Sequence, residues 1–217
     1  RRWDGDFLTA RRLVEDGVLG DVLRFESRFE RFRPEIKEGW RERGAAEEGG
    51  GLLLDLGSHL VDQARVLFRH PVRVYAEIDR RRAGAEVDDD VLLALEHPGG
   101  TRSLLWMSSI APLHGPRLGV TGLRGGFAVD GLDPQEDQLG AGLRPGDPGF
   151  GERERPGRLV DAAGERAQPI EPGRYASFYE AVRDGEVPVD PRDAVAVLRV
   201  LEAARRSAAE HAVVGVA

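Results

Sequence analysis

Val87-Asp88-Asp89-Asp90-Val91-Leu92-Leu93-Ala94-Leu95-Glu96-His97 and Thr101-Arg102-Ser103-Leu104-Leu105-Trp106-Met107-Ser108-Ser109-Ile110 are separated only by Pro98-Gly99-Gly100. Short apolar runs on either side of a proline–glycine turn read as a β-hairpin. Neighbouring positions within each run are apolar, as in Leu92-Leu93 and Leu104-Leu105-Trp106-Met107. Side chains alternate between the two faces of a strand, so both faces of this hairpin need cover. Helices can cover one face, and a second copy of the chain the other.

Working outward, Val72 to Ile78 reads as a strand. So does Asp21 to Phe32, where Leu23, Phe25, Ser27 and Phe29 alternate with Arg24, Glu26, Arg28 and Glu30. Downstream, Arg117 to Val120 and Phe127 to Val129 form a further pair around Gly125-Gly126. Gly131 to Gly173 is rich in glycine, proline and acids and reads as a long ordered excursion or a mobile loop. Helices are expected from Gly5 to Asp16, with Asp4 as N-cap and Gly17 as stop, and over Tyr175 to Asp184. Another opens at Asp190-Pro191 and buries Ala194, Val197, Leu198, Leu201, Ala204 and Ala208. His211 to Val216 closes as an edge strand. Strands in runs with helices before and after predict an α+β fold. The expected form is an open, mostly antiparallel sheet with helices on one face, in one domain over residues 1–217.

Composition narrows the function classes. The 217 residues carry a formal net charge of −7, with basic residues dispersed, which disfavours nucleic acid and anionic membrane surfaces as partners. Cysteine is absent, so there is no disulfide, no thiolate metal site and no cysteine nucleophile. No apolar run approaches the ~20 residues of a membrane span. Cytoplasmic residence is expected. The chain opens on Arg1-Arg2-Trp3 and reads as a piece of a longer polypeptide. No G-x-G-x-x-G follows a strand, so no cofactor-binding residue is expected in it.

The chemistry concentrates in Gly49 to Phe68, read as one helix led by three glycines. At 100° per residue Leu53, Leu56, Leu60, Ala64 and Leu67 share a face, and Asp55, Ser58, His59, Asp62 and Arg69 the opposite one. Asp55 and His59 are one turn apart, and a carboxylate beside an imidazole suits proton removal from a hydroxyl. The glycines permit close approach of a substrate or another domain. The plain alternative is a solvated helix face. A metal held by Asp55, His59 and Asp62 is a further alternative, but with no second ligand cluster no metal is expected. His70, His97, His114 and His211 are expected at the surface, and Asp88-Asp89-Asp90 as a solvated turn. Pro34 to Glu48 reads as a polar loop. Its Trp40, with Arg31 and Arg33, either lines a pocket for hydroxylated ligands or forms a strand end and a core tryptophan.

The run Gly49-Gly50-Gly51-Leu52-Leu53-Leu54-Asp55-Leu56-Gly57-Ser58-His59-Leu60-Val61-Asp62-Gln63 resembles the signature of the Gfo/Idh/MocA oxidoreductase family, G-G-G-x-L-x-D-x-G-x-H-x-x-D, at every fixed position. Phe7 to Gly20, Phe178 to Gly185 and Glu202-Ala203-Ala204 resemble other parts of its C-terminal domain. Phe29 to Glu35 and Gly131 to Asp137 are similar to a subgroup that includes NADP-dependent scyllo-inositol dehydrogenases. The resemblance implies a glyceraldehyde-3-phosphate dehydrogenase-like C-terminal domain that dimerises through its sheet, the Rossmann domain lying outside this chain. It implies hydride transfer between a sugar or polyol carbon and NAD or NADP. Asp55 and His59 would be the catalytic and substrate-binding pair, with Arg33 and Trp40 as pocket residues. A family lysine from a Glu-Lys-Pro motif is missing, because the only lysine, Lys37, lies between Ile36 and Glu38. The chain alone is therefore expected to bind no dinucleotide and to show no turnover. The other functional reading is a non-catalytic member that senses sugars or contacts a protein.

Overall fold

The computed structural model describes residues 1–44, 49–113 and 115–216. In chain order the elements are α1 (Gly5–Glu15), β1 (Val22–Glu30), α2 (Trp40–Arg43), α3 (Leu52–Asp55), α4 (Gly57–Phe68), β2 (Arg73–Asp79), β3 (Asp90–Glu96) and β4 (Arg102–Ser108). There follow β5 (Leu118–Gly122), β6 (Gly125–Val129), α5 (Gln135–Gly140), β7 (Gly157–Asp161), β8 (Gly164–Gln168), α6 (Tyr175–Arg183), α7 (Pro191–Glu210) and β9 (Val214–Gly215). They form two compact units, each assembled from separate stretches of chain. The architecture is α+β, with open, mostly antiparallel strand pairing.

One unit comprises Arg24–Gly115 and Arg192–Ala217. Its strands lie in the order β1-β4-β3-β2-β9. The β3–β4 hairpin pairs antiparallel with Leu93 opposite Leu105, β2 pairs antiparallel with β3, and β9 with β2. Only β1 runs parallel to its neighbour, with Phe29 opposite Met107 of β4. Burial alternates along the hairpin. Val91, Leu93, Leu95, Ser103, Leu105 and Met107 are buried, on the side where α3 and α4 pack, whereas Leu92, Ala94, Leu104 and Trp106 are half-buried. On that second face cross-strand rows join Arg28, Trp106, Leu92 and Glu77, and the Arg28 guanidinium lies 4.0 Å over the Trp106 ring.

The expected helix over Gly49 to Phe68 is in fact two, because the chain loosens at Leu56 (φ −105°, ψ −35°) and the His59 N–H bonds the Leu56 carbonyl instead of reaching back a full turn. The break rotates the buried stripe to Leu53, Gly57, Leu60, Val61, Ala64 and Phe68, leaving Leu56 and Leu67 half-buried. The stripe of α7 is also displaced. Val197, Val200, Leu201, Ala203, Ala204 and Ser207 are buried, while Ala194 and Leu198 face solvent. A polar residue sits in that stripe because the Ser207 hydroxyl accepts the Ala76 N–H at 3.0 Å, beyond the last residue that β9 pairs.

Two surface expectations fail here. His97 is buried, its ring nitrogens 2.8 Å from the Arg69 carbonyl and from the Ser103 hydroxyl, and burial pulls its pKa down, holding it neutral. Asp89, from the expected solvated turn, is 1% exposed and accepts the N–H groups of Arg81 and Arg82. His70 is half-buried and His211 exposed. His114 lies outside the described residues.

The other unit comprises Arg1–Leu23 and Pro116–Pro191, an antiparallel series β5-β6-β7-β8 with α1, α5 and α6. The β7–β8 hairpin and α5 occupy the stretch expected to be an excursion or loop. Asp4 stands at the N-cap position of α1 but makes no capping bond. The Asp133 carboxylate caps instead, accepting the Gly5 N–H at 2.7 Å, and Asp4 accepts the Tyr175 hydroxyl at 3.0 Å. Burial first, and the nearby Asp6 second, raise the Asp4 carboxyl to about 7.

Candidate functional site

After β1 the backbone stays tied to the end of β4. Arg31 N–H bonds the Ser108 carbonyl at 3.0 Å and Arg33 N–H the Ser109 carbonyl at 2.7 Å. The chain then leaves the sheet as a loop leading to α2. One buried guanidinium holds that loop in place. Arg82, with its side chain 5% exposed, donates to the carbonyls of Arg33 and Glu35 at 3.3 and 3.2 Å and to Glu42 at 3.0 Å, while its Nε bonds Asp89 at 2.8 Å. Burial would lift the Glu42 carboxyl, yet the Lys37 N–H and the Arg82 guanidinium hold it below its ordinary value. The expected polar loop over Pro34 to Glu48 is thus ordered through Gly44, and its residues 45–48 lie outside the described residues.

The glycine triplet answers to the chain itself. A Cβ on Gly50 would stand 2.1 Å from the Gly44 carbonyl oxygen. One on Gly51 (φ +93°) would stand 2.1 Å from Asp88 Oδ1. Asp88 needs that proximity, because its Oδ2 accepts the Leu53 N–H at 2.7 Å at the start of α3. The space beside these glycines is therefore filled by protein. Gly50 and Gly51 thus form no cradle for a pyrophosphate.

What α3 does is present Asp55. Its carboxylate accepts Arg41 Nε at 3.1 Å, in an ion pair whose arginine is 59% exposed. Pairs so exposed are worth about 1 kcal/mol or less, so a ligand hydroxyl can compete for the carboxylate. Arg31, Arg33, Trp40 and Asp55, all singled out from sequence, line one cavity of about 370 Å³. Lys37, Glu38, Arg41 and Glu42 line it as well, though none of them stands out as a pocket residue in the sequence; the density of charge from Lys37 to Arg43 was the available signal. Trp40 is half-exposed at the cavity wall and is not a core tryptophan.

His59 stands on α4, exposed, with its ring edge-on to Phe29 at 6.4 Å between centroids, and does not line that cavity. The polar stripe is open to solvent, since Asp55 and Asp62 are only half-buried. A half-buried carboxylate and an accessible imidazole on successive helices can orient a hydroxyl and exchange its proton. Among the described residues no group of three or more histidine or acidic side chains is placed to hold a metal ion, and no helix is long and apolar enough to cross a membrane.

The profile of the GFO/IDH/MocA C-terminal domain matches residues 7–128. The oxidoreductase YdgJ of Escherichia coli is 39% identical over 98% of this chain and 63% of its own length. The scyllo-inositol 2-dehydrogenase (NADP(+)) IolW of Bacillus subtilis is 36% identical over 97% of this chain and 61% of its own length. A solved oxidoreductase structure from Yersinia pestis superposes with a TM-score of 0.92 at 35% identity, covering 100% of this chain and 63% of that one. The chain thus spans less than two thirds of the length of the proteins it matches.

Proposed function

From the premise that this chain belongs to the Gfo/Idh/MocA oxidoreductase family, we propose that it is the substrate-binding and catalytic domain of a cytoplasmic dehydrogenase acting on a sugar or polyol hydroxyl. NAD or NADP, held by residues other than these, supplies the hydride acceptor when bound. The reading is supported above all by Asp55, which lines a polar cavity with Trp40 while His59 follows on the next helix, open to solvent. In it Asp55, after displacing Arg41, accepts a hydrogen bond from a substrate hydroxyl next to the one that is oxidised. His59 takes the proton of the reacting hydroxyl as its carbon gives up hydride, and returns it in the reverse direction. Trp40 offers an apolar wall to the ring C–H faces and Arg33 a donor to a ring oxygen or hydroxyl.

The test is steady-state turnover of the full-length protein over a panel of inositols and sugars. Asp55→Asn and His59→Ala are each expected to lower kcat by about 100-fold or more, with circular-dichroism melts like the parent's. Undiminished turnover in both variants would remove the pair from the chemistry. Saturable sugar binding with no turnover in the parent would favour a sensor. The half-buried sheet face carrying Leu92, Leu104 and Trp106 supports a second proposal, that two copies associate through it.

A further inference from the structure

The charges lining the cavity do not balance, and the surplus is positive. Three carboxylates lie on its wall and each is engaged: Glu42 by Arg82, Glu38 by Arg43 and Asp55 by Arg41. Arg31, Arg33 and Lys37 line the same space, and among the described residues no carboxylate lies within ion-pair distance of any of them. The Arg31 Nε is buried and has no hydrogen-bond partner among those residues. Burial first, and the positive charge of Arg33 second, pull the Arg31 pKa down, against the partial compensation of the Glu42 and Asp55 carboxylates. Two guanidinium groups and an ammonium on the wall of one cavity, none held by a carboxylate among the described residues, fit an oxyanion, which would supply acceptors and neutralise the repulsion.

We propose that the substrate carries, beside the hydroxyl presented to Asp55, an oxyanion seated on Arg31, Arg33 and Lys37, so that the preferred ligand is an acidic sugar or polyol and not a neutral one. This rests on the cavity being the substrate site, as proposed above. A carboxylate and a phosphate monoester share the required chemistry: negative charge and several acceptor oxygens. The cavity's volume of about 370 Å³ accommodates a six-membered ring with such a group.

The test is calorimetric titration of the full-length protein with glucuronate, glucose 6-phosphate, glucose and scyllo-inositol, each at low and at raised salt. At least one acidic sugar is expected to bind about tenfold or more tightly than both neutral ones, with affinity falling as salt rises. Which of the two wins separates the carboxylate from the phosphate. Arg31→Gln and Arg33→Gln should each reduce that preference severalfold. Should Arg31→Gln fail to fold, Arg33→Gln and Lys37→Gln replace exposed side chains and carry the same test. Equal or tighter binding of the neutral sugars overturns the proposal. So does a preference that survives both arginine variants, or the absence of saturable binding by any of the four below about 10 mM, a scale already weaker than ordinary substrate affinities. Because the readout is binding, it stands apart from turnover. Neutral sugars binding as tightly as acidic ones would leave the roles of Asp55 and His59 untouched, and undiminished turnover in the Asp55 and His59 variants would leave the binding preference as measured.

Discussion

Replacing Arg82 by Met removes one guanidinium and keeps most of the side chain's apolar length. The parent group spans two carboxylates, Asp89 at 2.8 Å and Glu42 at 3.0 Å, with side-chain exposures of 1% and 11%. In the variant Asp89 keeps the backbone N–H groups of residues 81 and 82 but loses the one counter-charge that lies within ion-pair distance of it among the described residues. Breaking a buried pair from one side costs about 3–5 kcal/mol, because the surviving charge stays desolvated. The retained backbone bonds put the expectation at the lower end, about 3 kcal/mol. The carbonyls of Arg33 and Glu35 also lose a donor, yet both residues are exposed and water replaces it, so they add little. Urea unfolding followed by circular dichroism reads the loss as a lower midpoint at unchanged slope. Adding Asp89→Asn to the Arg82→Met background should recover part of it, since the stranded charge is then gone. A loss below about 1 kcal/mol, the scale of exposed pairs, would refute the account of Arg82 as a buried tie.

The raised Asp4 carboxyl has a sign. Its folded pKa of about 7 exceeds the ordinary 3.8, so the folded state keeps a proton that the unfolded chain has lost between those values. That contribution is complete below the unfolded pKa and vanishes as pH climbs through about 7, at up to about 1.4 kcal/mol per pH unit. Asp4→Asn should flatten the parent's decline in urea stability from pH 4 to 7, and identical pH profiles would exclude this origin. Ser207→Ala strands the Ala76 N–H in the core and is expected to cost about 1–3 kcal/mol in the same assay; a loss of a few tenths would mean another acceptor takes over. Light scattering of the chain at micromolar concentration should report a dimer and Leu104→Glu a monomer, whereas a monomeric parent would contradict association through the sheet face.

The strands were legible where alternation or paired apolar runs marked them, as in β1 and the β3–β4 hairpin. The β7–β8 hairpin escaped because Leu159 is the only buried large apolar side chain in it, too little for a period to show. Charged segments misled in the opposite direction. Asp89 and Arg82 lie in runs that look solvated, and nothing local reveals that the two meet in the interior while Arg82 also reaches across to Glu42. His97 is a similar case, since a hairpin turn suggests exposure, whereas the Arg69 carbonyl, the Ser103 hydroxyl and the Phe68 ring together enclose it. At the site, residue types were readable and partnerships were not. Asp55, Arg31, Arg33 and Trp40 came from pattern and resemblance, but that Arg41 holds Asp55 and Arg82 holds the wall depends on contacts between distant stretches of chain.

The loosened turn at Leu56 bears on any attempt to transplant the Asp55–His59 pair. Two residues four apart on a straight helix have their spacing dictated by the backbone alone. Here the carboxylate travels with a single turn anchored through Asp88, and the imidazole with a separate three-turn rod seated on the sheet. A synthetic peptide copying residues 49–68 would lose both supports and hold little helix of its own in water, so the pair's arrangement belongs to the surrounding scaffold and not to its local sequence.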